Sequence, residues 1–339
     1  MDKDIVTLAH GSGGQMGREL VRSLLDIFDD PILDELEDAA LALFDEEHYA
    51  GRVVFTTDSY VVRPLFFPGG DIGKLAVCGT INDLAMRGAV PLYLSAGFIL
   101  EEGLPLADLK RIVASMAEVA KEAGVRIVTG DTKVVERGSA DKLFLNTAGV
   151  GVVPADVHIS ASAARPGDVI ILSGAVGDHG LAIMTQREGL RFESPLRSDC
   201  APLHTLVQDM LEASPHIHTL RDPTRGGLAT TLNELADQSG VGMRIEETSI
   251  PIHEPVRAAS ELLGLDPLYV ANEGKLVAMV AAEDAQGVLQ AMRAHSQGRE
   301  AAIIGEVVDE HVGRVAMRTI LGTHRLLDML ASEQLPRIC

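Results

Sequence analysis

An α/β fold in two domains, mixed enough to count equally as α+β, is what this chain predicts, and three observations carry it. β-rich runs alternate with amphipathic helical runs along most of its length. At 339 residues, 46% of them hydrophobic, it has material for two ordinary cores rather than one. The alternation lapses over the small, weakly patterned stretch 155–164 and resumes at Pro166-Gly167-Asp168. The expected division is an N-terminal domain over 1–158, a C-terminal α/β domain over 159–327, and a mobile tail over 328–339 carrying Cys339. Neither half has a strict short repeat, which excludes a solenoid.

The first helix is expected over 16–28, after the run His10-Gly11-Ser12-Gly13-Gly14. Residues 53–57 are β-branched and stop as a strand at Asp58. Residues 73–87 read as a helix, opened by Gly69-Gly70 and closed by Gly88. Over 106–123, Leu109, Ile112, Val113, Met116, Val119 and Ala120 recur at three and four, and Gly124 supplies the stop. A short strand over 125–128 ends at Thr129-Gly130-Asp131, and a longer one over 143–153 is closed by Pro154. In the second half, strands over 169–172, 241–245, 268–270 and 276–280 alternate with helices over 203–211, 227–238 and 285–294.

Aromatic residues are 4% of the chain and Trp is absent, so its cores are aliphatic. A formal net charge of −20 argues against nucleic acid and anionic membranes as partners. It leaves room for nucleotides, which bind through local loops and metal ions. Asp2, Lys3 and Asp4 precede only a short apolar run, so no signal peptide is read, and no run approaches a membrane span. Cys78, Cys200 and Cys339 form no C-x-x-C pair, so the chain reads as cytoplasmic, with reduced thiols.

Glycine-rich His10–Gly14 before a helix suits an anion, because backbone N–H groups and the positive helix end face it. It lacks the Gly-Lys-Ser/Thr of a Walker loop, and a plain linker is the alternative. Aspartates recur near strand and helix ends: Asp58, Asp83, Asp131 before Thr132 and Lys133, and Asp222 before Pro223. Oxygen ligands of this kind suit Mg²⁺ beside phosphates. Singly each has a bland reading, Asp222 as an N-cap with Pro at N1 among them. Asn272-Glu273-Gly274-Lys275 reads as a polar hairpin turn, or as a desolvated base at a sheet edge. Gly177-Asp178-His179-Gly180 is a tight βα turn. Cys78 packs inside a helix, and Cys200 is structural.

The end of the chain, Leu335-Pro336-Arg337-Ile338-Cys339, carries a thiol that no following residue helps to bury. Pro336 argues against a helix there. From Leu330 the tail reaches roughly 30 Å at about 3.3 Å per residue, the reach of a carrier arm. A frayed terminus is the alternative.

These strings, with Thr56–Tyr60, Pro64–Gly70 and the terminal Pro-Arg-Ile-Cys, resemble the HypE family of nickel–iron-hydrogenase maturation proteins over essentially the whole chain. The wider superfamily includes aminoimidazole ribonucleotide synthetase, selenophosphate synthetase and thiamine monophosphate kinase. The resemblance implies an aminoimidazole ribonucleotide synthetase-like fold. Its N-terminal domain would bind ATP and pair with its copy in a homodimer around a β-barrel-like core. It implies an ATP-dependent carbamoyl dehydratase. HypF would carbamoylate the Cys339 thiol, ATP with Mg²⁺ would drive dehydration to a thiocyanate, and the cyano group would pass to iron on a HypC–HypD complex.

Matched motif by motif, the resemblance implies that Cys339 carries the substrate, that Glu273 is the candidate base, and that Lys133 neutralises the transferring phosphoryl group or orients the thiocarbamate oxygen, with an exchange of roles between Lys133 and Glu273 as the alternative. His10, Gly11, Ser12, Gly13, Gly14, Asp58, Asn82, Asp83, Asp131, Thr132 and Asp222 would bind the nucleotide. Asp58, Asp83, Asp131 and Asp222 would hold the metal, with Asp71 as a further candidate. Positions 10–18 lack the Cys or selenocysteine with Lys of selenophosphate synthetases. Thiamine monophosphate kinase needs no terminal thiol. A non-enzymatic thiol carrier is the alternative of another class.

Overall fold

The computed structural model describes residues 5–7, 10, 15–28, 51–190, 196–329 and 338. Helix α1 (Gln15–Phe28) precedes β1 (Gly51–Tyr60). The two-residue strands β2 (Phe66–Phe67) and β3 (Gly70–Asp71) then lead into α2 (Ile72–Ala85). Strand β4 (Val90–Glu101), helix α3 (Leu106–Glu122), β5 (Arg126–Val135) and β6 (Leu143–Pro154) follow. A four-stranded sheet has the order β1-β6-β4-β5. Its β4–β5 pair is parallel, with α3 as the crossover, and the other pairs are antiparallel.

Helix α2 organises the molecule. Asp71 caps it, its Oδ1 accepting from the backbone N–H groups of Gly73 and Lys74 at 2.8 and 3.1 Å. Within the helix only Lys74 and Asp83 are not buried. A helix apolar all round must be enclosed. The sheet lies on one side, and α3 packs against another. A Cβ on Gly73 would come within 2.5 Å of the Ile112 carbonyl oxygen, so glycine permits that approach. The predicted repeat on α3 is borne out, with all six apolar positions buried and Gly124 at φ +68° ending the helix.

The second half contains β7 (Val169–Leu172), α4 (Asp178–Arg187), α5 (His204–Ala213), β8 (Ile217–Arg221) and α6 (Gly227–Ser239). It continues with β9 (Gly242–Glu246), α7 (Glu254–Leu263), β10 (Val277–Val280), α8 (Ala285–Ala294), β11 (Ala302–Val308), β12 (Val315–Arg318) and β13 (His324–Leu327). The strands form a seven-stranded mixed sheet, β13-β12-β9-β11-β7-β10-β8. Ile170, Leu172, Val277 and Met279 face α6, while Ile171, Ala278 and Val280 face α5 and α8. Both faces of the central strands are therefore covered, which explains their unbroken apolar runs.

Several sequence expectations change. Strand β1 does not stop at Asp58, and β5 continues through Thr129–Lys133 to Val135, because β4 offers a paired edge along that length. Residues 267–269 form a 3₁₀ turn instead of a strand, with Asp266 Oδ1 accepting from the Leu268 N–H at 3.0 Å. Helix α6 starts at Gly227, so Asp222 is no N-cap; Gly226 and Gly227 both have positive φ, and the Leu268–Val270 backbone crowds Gly227. Among the described residues α2 and α3 cover one face of the N-terminal sheet, while Val53, Phe55 and Ile99 lie exposed on the other. Among the described residues no helix is long and apolar enough to cross a membrane.

Candidate functional site

The inner face of β1, the end of α2 and the loops before α6 and β10 meet in one acidic crevice. Strand alternation turns Thr56, Asp58 and Tyr60 inward, and α2 presents Asp83 to them. The Thr56 hydroxyl donates to Asp83 Oδ2 at 2.8 Å, and the Tyr60 hydroxyl donates to Asp58 Oδ2 at 3.2 Å. Burial, then the charges of Asp222 and Asp58, push the Asp83 carboxyl up to about 7. Burial likewise pushes Asp222 up to about 6.

Glu273 lies deepest, 3% exposed, and its Oε1 is buried without a hydrogen-bond partner. Its loop is bolted in place. Asn82 Nδ2 donates to the Glu273 carbonyl at 3.3 Å and to the Ala201 carbonyl at 3.1 Å, while Asn82 Oδ1 accepts from Leu203 N–H. Asp199 accepts from the N–H groups of Glu273 and Gly274 and is paired with Lys275 at 3.3 Å. Desolvation first, then the charges of Asp222, Asp199 and Asp58, raise the Glu273 carboxyl well above the usual range.

Ile338 also lies in this region. Ile338 is buried in the core cluster that contains α2, and its carbonyl oxygen lies 2.7 Å from His179 Nε2. Residues Gly11, Ser12, Gly13, Gly14 and Cys339 lie outside the described residues. His10 is half-buried, its Nδ1 accepting from Thr7 N–H at 3.0 Å.

Asp58, Asp83, Asp222 and Glu273 thus come together, while Asp131 and Lys133 do not join them. Those two are exposed on the outer face of β5, and half-buried Thr132 points the other way. Pairing puts Asp131 level with Gly97, Asn146 and Ser59, three strand spacings or about 14 Å from β1. Asp71 is committed to its helix cap, and both polar ends of Asn82 are engaged by backbone groups. Cys78 and Cys200 are both buried free thiols. Sequence reasoning missed Tyr60, Thr56 and Asp199. The motif around His179 was visible, but nothing local announced its partner 159 positions away.

Carboxylate oxygens crowded until two of them bind protons near neutrality suit a hard cation, which would relieve their repulsion. Among the described residues no group of three or more His, Cys, Asp or Glu is arranged to hold a metal by itself. The set therefore fits an ion completed by phosphate oxygens and water better than a closed protein cage.

Two family models match: AIR synthase related protein, N-terminal domain, over 36–153, and its C-terminal domain over 165–318. The chain is 60% identical over 335 residues to carbamoyl dehydratase HypE of Azotobacter vinelandii, spanning 98% of this chain and 97% of that protein. Identity to carbamoyl dehydratase HypE of Escherichia coli (strain K12) is 51% over 336 residues, spanning 98% and 99%. Among solved structures, hydrogenase maturation protein HypE in complex with ATP superposes with a TM-score of 0.94 at 52% identity, covering 98% and 99% of the two chains. A HypE–HypF complex gives 0.80 at 50% identity, covering 94% and 100%.

Proposed function

The chain belongs to the HypE family of carbamoyl dehydratases, and from that premise we propose that it dehydrates an S-carbamoyl group on its own Cys339 to a thiocyanate, at the expense of ATP, in hydrogenase maturation. An amide oxygen does not leave as hydroxide. The thiocarbamate oxygen must attack the γ-phosphorus, displacing ADP, while the amide nitrogen loses a proton. The resulting imidate phosphate then loses phosphate as the second N–H proton is taken, leaving S–C≡N.

The observation that carries this reading is the buried Glu273 carboxyl, whose Oε1 has no hydrogen-bond partner among the described residues, in the region where the Ile338 carbonyl meets His179. Glu273 is the proton acceptor. Burial first and the neighbouring acids second raise its carboxyl, so neutralising their charge would relieve the second cause and lower it toward the range of a base. Asp58, Asp83 and Asp222 would hold Mg²⁺, which when bound would neutralise phosphate charge. The loop 10–14 would cover the phosphates. Lys133, with Asp131, reaches the crevice of a second copy in a homodimer that closes the outer sheet face, while Thr132 faces inward in its own chain; exposed Phe55 and Val53 support that pairing. Asn82 acts by bracing the Glu273 loop. The carbamoyl donor is HypF, as the solved HypE–HypF complex supports, and the cyano acceptor is a HypC–HypD iron complex. The domain limits remain 1–158 and 159–327, with the tail beyond.

Mass spectrometry of the C-terminal peptide tests this. After incubation with the carbamoyltransferase, carbamoyl phosphate, ATP and Mg²⁺, Cys339 should gain one carbamoyl group and then lose one water. An adduct that never loses water would make the chain a carrier only. No adduct, with the partner active, would remove the assignment.

A further inference from the structure

We propose that His179 is a latch for Ile338, a positioning residue whose Nε2–H grips the Ile338 carbonyl and so holds the residue that precedes Cys339 beside the Asp199 bracket of the Glu273 loop. This deepens the reading above and rests on it only for the chemistry that follows docking.

The imidazole sits at the start of α4 and is fully buried. Nε2 lies 2.7 Å from the Ile338 carbonyl oxygen and Nδ1 lies 2.8 Å from Ser198 Oγ. A carbonyl only accepts, so Nε2 carries the proton. Burial holds the ring below its ordinary pKa and therefore neutral, which leaves Nδ1 bare to accept the Ser198 hydroxyl. That hydroxyl in turn accepts from the Cys200 N–H at 3.1 Å. The donors all point one way, from Cys200 through Ser198 and His179 to Ile338, and the tautomer is set by its neighbours.

The latch is built from both halves of the molecule. Phe67 meets the ring edge-on at 5.6 Å, and the Ser198 N–H donates to the Pro68 carbonyl at 2.8 Å. Asp199, whose charge acts on His179, also holds the N–H groups of Glu273 and Gly274. Latch and proposed base therefore share one bracket. Ile338 adds an apolar anchor at 5% exposure. One further trans peptide, about 3.8 Å between Cα atoms, leads to Cys339. A buried carbonyl with no donor is costly, so loss of this N–H would destabilise the buried position of Ile338.

The test uses the full chain and two replacements. His179→Phe keeps a ring against Phe67 but offers no donor; His179→Gln restores a neutral N–H and an acceptor. Iodoacetamide labelling of Cys339, read by peptide mass spectrometry without ATP or carbamoyl phosphate, should run about tenfold faster in His179→Phe, the equivalent of one lost buried hydrogen bond. It should return toward the native rate in His179→Gln. In the carbamoylated chain, single-turnover loss of water should slow in His179→Phe by a similar factor, with ATP affinity unchanged. Should His179→Phe fail to fold, Ile338→Ser, which removes the apolar anchor and leaves His179 intact, should speed labelling in the same way. Equal labelling in native, Phe and Gln chains of equal Tm overturns the latch; so does equal perturbation by Phe and Gln, which would assign the effect to ring packing. Native protein that never loses water while the labelling pattern holds would overturn the dehydratase reading and leave the latch standing.

Discussion

The two faces of the four-stranded sheet carry the two halves of the expected site, and they differ in almost every physical respect. On the inner face Asp58 meets Asp83 and Asp222 under burial strong enough to move two carboxyl groups up to about 7 and about 6. On the outer face Asp131 and Lys133 stand in solvent on β5, beside a bare apolar surface. The first face is assembled within one chain. The second has no opposite wall among the described residues, which is why a second copy is proposed to supply one. A single-site reading of the motifs merges residues that alternation along a strand holds apart.

Replacing Glu273 strikes the inner half hardest. Glu273→Gln should lower single-turnover dehydration by roughly 10²–10⁴, the range of a lost general base, with carbamoylation of Cys339 intact. Next comes a mixture of Lys133→Ala and Glu273→Gln chains, each inactive alone. If the halves of a site come from different copies, random reassortment into two-fold dimers should recover about a quarter of native activity. No recovery would place both halves in one chain. Phe55→Asp should then weaken self-association by more than about tenfold, seen as a halved mass in sedimentation at micromolar concentration. An unchanged mass would mean that the outer face is not the contact.

The smallest effect is on stability. Asp83 binds its proton more tightly folded than unfolded, so the folded state holds the extra proton between about pH 4 and pH 7. Its contribution therefore falls as pH rises through that window. Without nucleotide or metal, Asp83→Asn should remove part of the loss in Tm between pH 5 and pH 8, about 2–4 °C per kcal/mol regained. Addition of Mg²⁺ should reverse the same loss in the native chain and leave the variant less affected, read by thermal shift.

Much of the scaffold was legible because apolar spacing is a local signal. The repeat on α3, the long β6 and the apolar β7 and β10 were each visible in a dozen residues or fewer. The ends of β1 and β5 were not, because pairing with β6 and β4 carries them past residues of poor strand propensity such as Asp58 and Gly130. Strands β12 and β13 are short and half-exposed at the rim of the larger sheet, where alternation is weak. In the candidate site, Asp58, Asp83, Asp222 and Glu273 were singled out as motif members. Their mutual tuning arises between residues far apart in sequence. The same holds for the Asp199–Lys275 pair and the His179–Ile338 bond.

Helix α2 has a consequence for the molecule as a mechanical object. Its apolar sides belong to three core clusters, two of which cross between the halves: one joins Leu75, Val77 and Ile81 to Leu181, Val256 and Ile338, and another joins Ala85, with Met86 beyond it, to Leu206 and Val280. The boundary drawn near residue 158 is thus a seam in the chain but not in the interior. Cutting there would strip each half of a wall it shares with the other, so neither half is a free-standing module. Heat should melt the pair as one body, with the calorimetric enthalpy matching the van't Hoff value.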